Sequence, residues 1–227
     1  FQPHQENFLR TARKASRLDW EGFREFLLYG FSDAAGMLYA KGVPGSAYER
    51  VQRRILDALR RAYAKVGPDG RVVLLAQSLG AEVISNYLWD ADPSRPARFG
   101  VWKDPAALGL SPDEERFCRL RACPTLITTG CNIPVFVAGL EKPTCFAPPC
   151  DGFRWLNLYD RDDPLGWPVR ALDPTYAAVA QDVEINAGGG FVGRVLSGTP
   201  LAHGAYWTDD DVVATLAVSL LKVYEEA

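Results

Sequence analysis

The stretch Val72-Val73-Leu74-Leu75-Ala76-Gln77-Ser78-Leu79-Gly80-Ala81-Glu82 decides how the rest of the chain is read. Residues 72 to 76 form an unbroken apolar run, as expected of a parallel strand covered on both faces. Leu79 to Asp90 reads as a helix that begins directly after it. Between them lies a small-x-Ser-x-Gly turn, with Ala76 and Gly80 as the small residues. A turn this sharp projects its central side chain at the end of the strand, and small neighbours let strand and helix pack closely. Ser78 is therefore a candidate nucleophile, and the amide of Leu79, at a helix start, is a candidate donor to a developing oxyanion. A serine that simply caps the helix is the competing reading.

Working outward, Ala47 to Val66 predicts an amphipathic helix. Val51, Ile55, Leu59, Ala62 and Val66 recur at three- and four-residue spacing, and Gly67-Pro68-Asp69-Gly70 stops it. Arg50, Arg53, Arg54, Arg60 and Arg61 read as its solvated face. Glu6 to Arg17 and Trp20 to Tyr39 are also helical in pattern. The apolar side of the second fits either a lid or, more simply, packing on a sheet or a dimer partner. Downstream, Pro93 to Pro112 is loop-rich. Pro124 to Thr129, Phe153 to Tyr159 and Asp182 to Asn186 are candidate strands, and Asp209 to Glu225 is a last helix, with Thr208 and Asp211 in capping-box positions. Strands alternating with helices predict an α/β fold: one domain over 1–227, a mostly parallel sheet with helices on both faces, and a mostly helical 1–66.

Bulk properties exclude several classes. The net charge of −3 and the dispersed basic residues give no nucleic-acid footprint. No apolar run approaches the roughly 20 residues of a transmembrane helix. The five cysteines, Cys118, Cys123, Cys131, Cys145 and Cys150, are odd in number and irregular in spacing. They read as reduced thiols of a cytoplasmic protein, although Cys145 and Cys150 flank a Pro-rich loop and could pair or approach a metal. With two histidines in the chain, a Cys/His zinc site would be sparse. Gly188-Gly189-Gly190 reads as a flexible loop and fails as a phosphate cradle, since no P-loop lysine follows it.

A serine hydroxyl is a weak nucleophile until a base takes its proton. His4 sits at the extreme of the chain and reads as a solvated tail residue. His203 lies in the loop Gly198-Thr199-Pro200-Leu201-Ala202-His203-Gly204, just before the last helix. An acid to orient it should follow a strand and precede it in the chain. Asp160-Arg161-Asp162-Asp163-Pro164 follows the candidate strand Trp155 to Tyr159, and any of the three aspartates fits.

Several of these segments together resemble α/β-hydrolase-superfamily serine hydrolases, of a bacterial esterase/lipase-like group. The resemblance rests on Ala76-Gln77-Ser78-Leu79-Gly80 with Asn86-Tyr87-Leu88, on Leu126-Ile127-Thr128-Thr129-Gly130, on Trp155 to Asp160 with Asp163-Pro164, and on Ala202-His203 with Tyr206-Trp207. It covers the chain from about Trp20 onward. It implies the order nucleophile, acid, histidine, with Ser78, Asp163 and His203 in the matching positions. Asp163-Pro164-Leu165 is similar to the step found at the acid of that superfamily, with Asp160 and Asp162 as alternatives. Gln77 replaces a common His, and Cys131-Asn132-Ile133-Pro134 replaces a common Ser-Pro-Leu. The His-Gly strand end that supplies a second oxyanion donor is not found, and the full family sheet would need strands upstream of Phe1.

The expected function is hydrolysis of small-molecule carboxylic esters through an acyl-enzyme, with no metal or organic cofactor required. Two other readings use the same features. One is a catalytically silent binding protein of this fold, and the other is an acyltransferase. The oligomeric state is not legible.

Overall fold

The computed structural model describes residues 2–15, 21–95, 98–187 and 202–225. Three helices come first: α1 (Gln2–Ala15), α2 (Glu21–Tyr39) and α3 (Ala47–Val66). Ser46 caps α3 by accepting the Glu49 amide at 3.3 Å, and Gly67 ends it at φ 76°. The α/β part then runs β1 (Val73–Gln77), α4 (Leu79–Ala91), α5 (Pro112–Cys118), β2 (Thr125–Thr129), α6 (Ile133–Val137), β3 (Arg154–Asp160), α7 (Pro174–Val179), β4 (Ala180–Ile185) and α8 (Asp210–Glu225). Single 3-10 turns occupy Gly100–Lys103 and Pro105–Leu108, and a longer one spans Ala202–Thr208.

The four strands form one sheet in the order β1-β2-β3-β4, every pair parallel. Side chains alternate across a strand, so the register splits the core in two. Leu74, Leu126, Trp155 and Ala180 share one face, where α3, α4, α5 and α7 contribute Leu56, Tyr87, Phe117 and Tyr176. Leu75, Ile127, Leu158, Val183 and Ile185 share the other, under Tyr206 of the last 3-10 turn and Val212 of α8. The fold is thus α/β with helices packed on both faces of the sheet. Strand β2 is buried throughout, whereas β1, at the sheet edge, is half-buried along its length.

Several expectations change. The buried stripe of α3 is Tyr48, Gln52, Leu56 and Leu59, while Val66 is exposed. The stripe is rotated because Gln52, polar in sequence, is a core residue: its Nε2 donates to Asp90 Oδ2 at 2.7 Å and its Oε1 accepts from Val101 N at 3.1 Å. Helix α2 packs on α1 and α3 rather than on the sheet, and reaches α6 through Phe31 and Phe136, whose ring centroids lie 5.9 Å apart. Asp209 caps α8, its Oδ1 accepting from Asp211 N at 3.0 Å, while the Thr208 hydroxyl donates to Ala205 O. Asp209 wins because its carboxylate lies one residue nearer the free amides of the first turn. The arginines named on α3 are all exposed. All five thiols are unpaired, and burial pushes those of Cys118, Cys123, Cys131 and Cys145 up to about 12. Among the described residues no helix is long and apolar enough to cross a membrane. The His4 side chain and Gly188-Gly189-Gly190 lie outside the described residues.

Candidate active site

Ser78 sits between β1 and α4 with φ 54° and ψ −125°, a left-handed conformation that costs a non-glycine residue roughly 1–3 kcal/mol. Its surroundings hold it there. The Ser78 amide donates to Thr129 O at 3.0 Å, at the end of β2, and the Ser78 carbonyl accepts from Ala81 N at 2.9 Å. The hydroxyl makes no capping bond to α4, so the simple helix-cap reading does not account for this serine. A Cβ built at Gly80 would touch the Ala76 Cβ at 3.9 Å, an ordinary contact. The turn therefore requires small residues at these two positions rather than glycine at both.

His203 lies in the 3-10 turn Ala202–Thr208, after the four described strands. The Gln77 side-chain amide donates to His203 O at 2.5 Å, tying the end of β1 to this turn. His203 Nδ1 is 2.8 Å from Asp163 Oδ2, and both side chains are almost fully buried. Asp163 Oδ1 accepts the Leu165 amide at 3.0 Å, and Oδ2 also accepts the Tyr206 hydroxyl at 3.0 Å. This carboxylate is therefore bonded on both oxygens.

The other two aspartates of the loop do different work. Asp160 is buried at the end of β3, where its carboxylate accepts from Asp162 N and from Ala187 N, both at 2.8 Å. It staples the acid loop to the exit of β4. Asp162 is exposed. Of the three, Asp163 is the one in contact with the imidazole.

No protein-family profile matches the chain, and neither a curated protein nor a solved structure does. The site is therefore read from its own geometry.

Three contributors to that geometry were not assigned roles from sequence. Tyr206 follows His203 by three residues, the spacing that stacks side chains in a 3-10 turn. Its hydroxyl donates to Asp163 and accepts from Asp160 N at 3.0 Å, bridging both ends of the acid loop. Burial, followed by the charge of Asp163, pushes its phenol far above the ordinary range, so it stays a neutral donor. Gly130 ends β2 at φ 53°, and a Cβ there would fall 2.7 Å from His203 Cε1. Gly166 is crowded in the same way, by Asp163 Oδ2 at 2.7 Å and Tyr206 Oη at 2.9 Å. Backbone is thus pressed against both members of the pair.

A row of polar groups on the sheet supports the acid loop from below. Register aligns Thr128, Asn157 and Asp182 on adjacent strands. The Trp155 indole donates to Thr128 Oγ1, which donates to Asn157 Oδ1 at 2.8 Å. Asn157 Nδ2 donates to Asp182 Oδ1 at 2.7 Å and to Trp167 O at 2.9 Å. Asp182 then accepts the Val169 and Arg170 amides, one on each oxygen, at 3.0 Å. Trp167 N adds a bond to Cys131 O at 2.9 Å. The loop that carries Asp163 is clamped along its length.

Ser78 and His203 line one cavity of about 690 Å³. Its other walls are largely apolar: Leu74 and Leu75 on β1, Val83 and Ile84 on α4, Ile55 on α3, and Trp207. Because β1 is an edge strand, one side of this cavity is bounded by strand edge.

Proposed function

We propose that the chain is a serine hydrolase of α/β-hydrolase type that cleaves carboxylic esters with an apolar acyl group. The observation that carries this reading is the strained Ser78, which bears no cap bond and faces the same cavity as an imidazole already engaged by a buried carboxylate. Strained backbone at non-glycine residues clusters at functional sites. The order of parts supports the family reading: serine after β1, acid after β3, histidine after β4, all strands of one parallel sheet.

In this reading the Nδ1 proton of His203 donates to Asp163, which leaves the Nε2 lone pair to act as base. Ser78 Oγ attacks the acyl carbonyl as Nε2 takes its proton. The carbonyl becomes a tetrahedral oxyanion, stabilised by the Leu79 amide, whose place in the first turn of α4 leaves it unused by the helix. Collapse expels the alcohol, which takes the proton from His203. Water, deprotonated by the same nitrogen, then attacks the acyl-serine, and the carboxylic acid leaves as Ser78 regains its proton. The apolar walls from Ile55, Leu74, Val83 and Ile84 suit an aliphatic or aromatic acyl chain.

Labelling with a fluorophosphonate probe and peptide mapping tests this. Modification of Ser78 in the wild type, abolished by Ser78→Ala and sharply reduced by His203→Ala, is the expected result. An unlabelled, folded protein would favour the silent binding reading. Labelling with product diverted to an added alcohol at low concentration would favour acyl transfer.

A further inference from the structure

A second depression lies at the opposite end of the sheet, where the strands begin. It encloses about 670 Å³ and is lined by Arg71, Arg116, Arg121, Arg154 and Lys222, against two carboxylates, Asp69 and Asp151. Arg71 precedes β1, Arg154 opens β3, Arg116 and Arg121 flank the end of α5, and Lys222 comes from α8. Strand β1 alone, at about 3.3 Å per residue, separates this depression from Ser78 by the better part of 20 Å. In a chain of net charge −3, five cations converge on one concavity.

Three of the guanidiniums are held in place by neutral oxygens. Arg116 Nη2 donates to Pro68 O at 2.7 Å, Arg121 Nη1 to Pro149 O at 2.7 Å, and Arg154 Nη2 to Thr125 Oγ1 at 3.2 Å. Among the described residues none of these three is within ion-pair distance of a carboxylate. A guanidinium carries five donors in a fixed fork, so one anchoring bond orients the group and leaves N–H edges for an acceptor. Like charges gathered in one concavity repel, and a multivalent anion relieves that repulsion while matching the forks.

We infer that this depression binds a phosphate-type oxyanion, free or carried on a small organic molecule. Binding to the folded state alone raises its stability with ligand concentration. Inorganic pyrophosphate, compared with sodium chloride at equal ionic strength, is expected to raise the Tm of the whole chain by several degrees and to saturate. The double variant Arg121→Gln/Arg154→Gln loses this response, and Arg53→Gln, an exposed arginine of α3, keeps it. A phosphomonoester run in parallel separates a free anion from one attached to an organic body.

Cys150 gives a second measurement that needs no variant. It lines the depression and is half-buried, whereas the other four cysteines are buried. Pyrophosphate is expected to slow alkylation of Cys150 by N-ethylmaleimide several-fold. A wild type whose Tm and Cys150 labelling are both unmoved by pyrophosphate overturns the inference. So does a Tm rise that survives undiminished in the double variant.

Discussion

Ser78 holds a backbone conformation that its own side chain disfavours, and glycine would adopt it freely. Ser78→Gly is therefore expected to raise stability by about 1 kcal/mol while abolishing probe labelling. Urea denaturation beside a labelling gel checks both halves. Gly130 is the reverse case. Alanine there meets both a positive φ and the His203 ring, so Gly130→Ala is expected to lose roughly 1–3 kcal/mol and most of the proposed esterase activity. Asp163→Asn keeps the shape of the carboxylate but removes its charge and permits the wrong imidazole tautomer. A loss in kcat on the order of 10³- to 10⁴-fold with little change in KM is expected on a chromogenic ester. At this scale the sequence was only partly legible. The small-x-Ser-x-Gly turn could be read because its chemistry is local. Which aspartate touches His203 could not, because Asp160, Asp162 and Asp163 differ only in how the loop closes. Tyr206 and Gly166 depend on a tertiary approach that no spacing reveals.

Elements with a long period were legible, and short ones were not. Helices α3 and α4 and strands β1 to β3 match their expected spans to within about two residues because periodicity and burial agree along them. Helices α5, α6 and α7, of seven, five and six residues, are too short to show a period. The polar row under the acid loop was hidden for another reason: Thr128, Asn157 and Asp182 lie on three different strands and meet only through register. Its role is testable. Asp182→Ala removes the acceptor of two loop amides and of Asn157, so stability is expected to fall by roughly 2–3 kcal/mol. Amide exchange should quicken at Val169 and Arg170 while β1 keeps its protection.

For the molecule as a whole, one buried carboxylate sets a pH dependence. Glu82, in the first turn of α4, is raised above the ordinary carboxyl range by burial, against the opposing effects of its bond to Asn86 and of Lys41. Its folded form holds a proton more tightly than its unfolded form. Its contribution to stability is therefore complete below the unfolded value and is lost as pH climbs through the raised one. Glu82→Gln removes that loss, so the stability difference between variant and wild type should widen from pH 4 to pH 8. Equal differences at both ends, measured by urea denaturation, would refute the assignment.

The strand order β1-β2-β3-β4 also has a temporal side. Each strand after β1 pairs with the one that precedes it in the chain, so no pairing waits for a later strand and the sheet can lengthen strand by strand as the ribosome delivers it. Ser78 and Asp163 are in hand before β4 begins, but His203 follows β4, and Val212 and Leu216 of α8 arrive after it to cover one face. On the proposed reading, a nascent chain thus pairs all four described strands before the histidine that would arm Ser78 has been made.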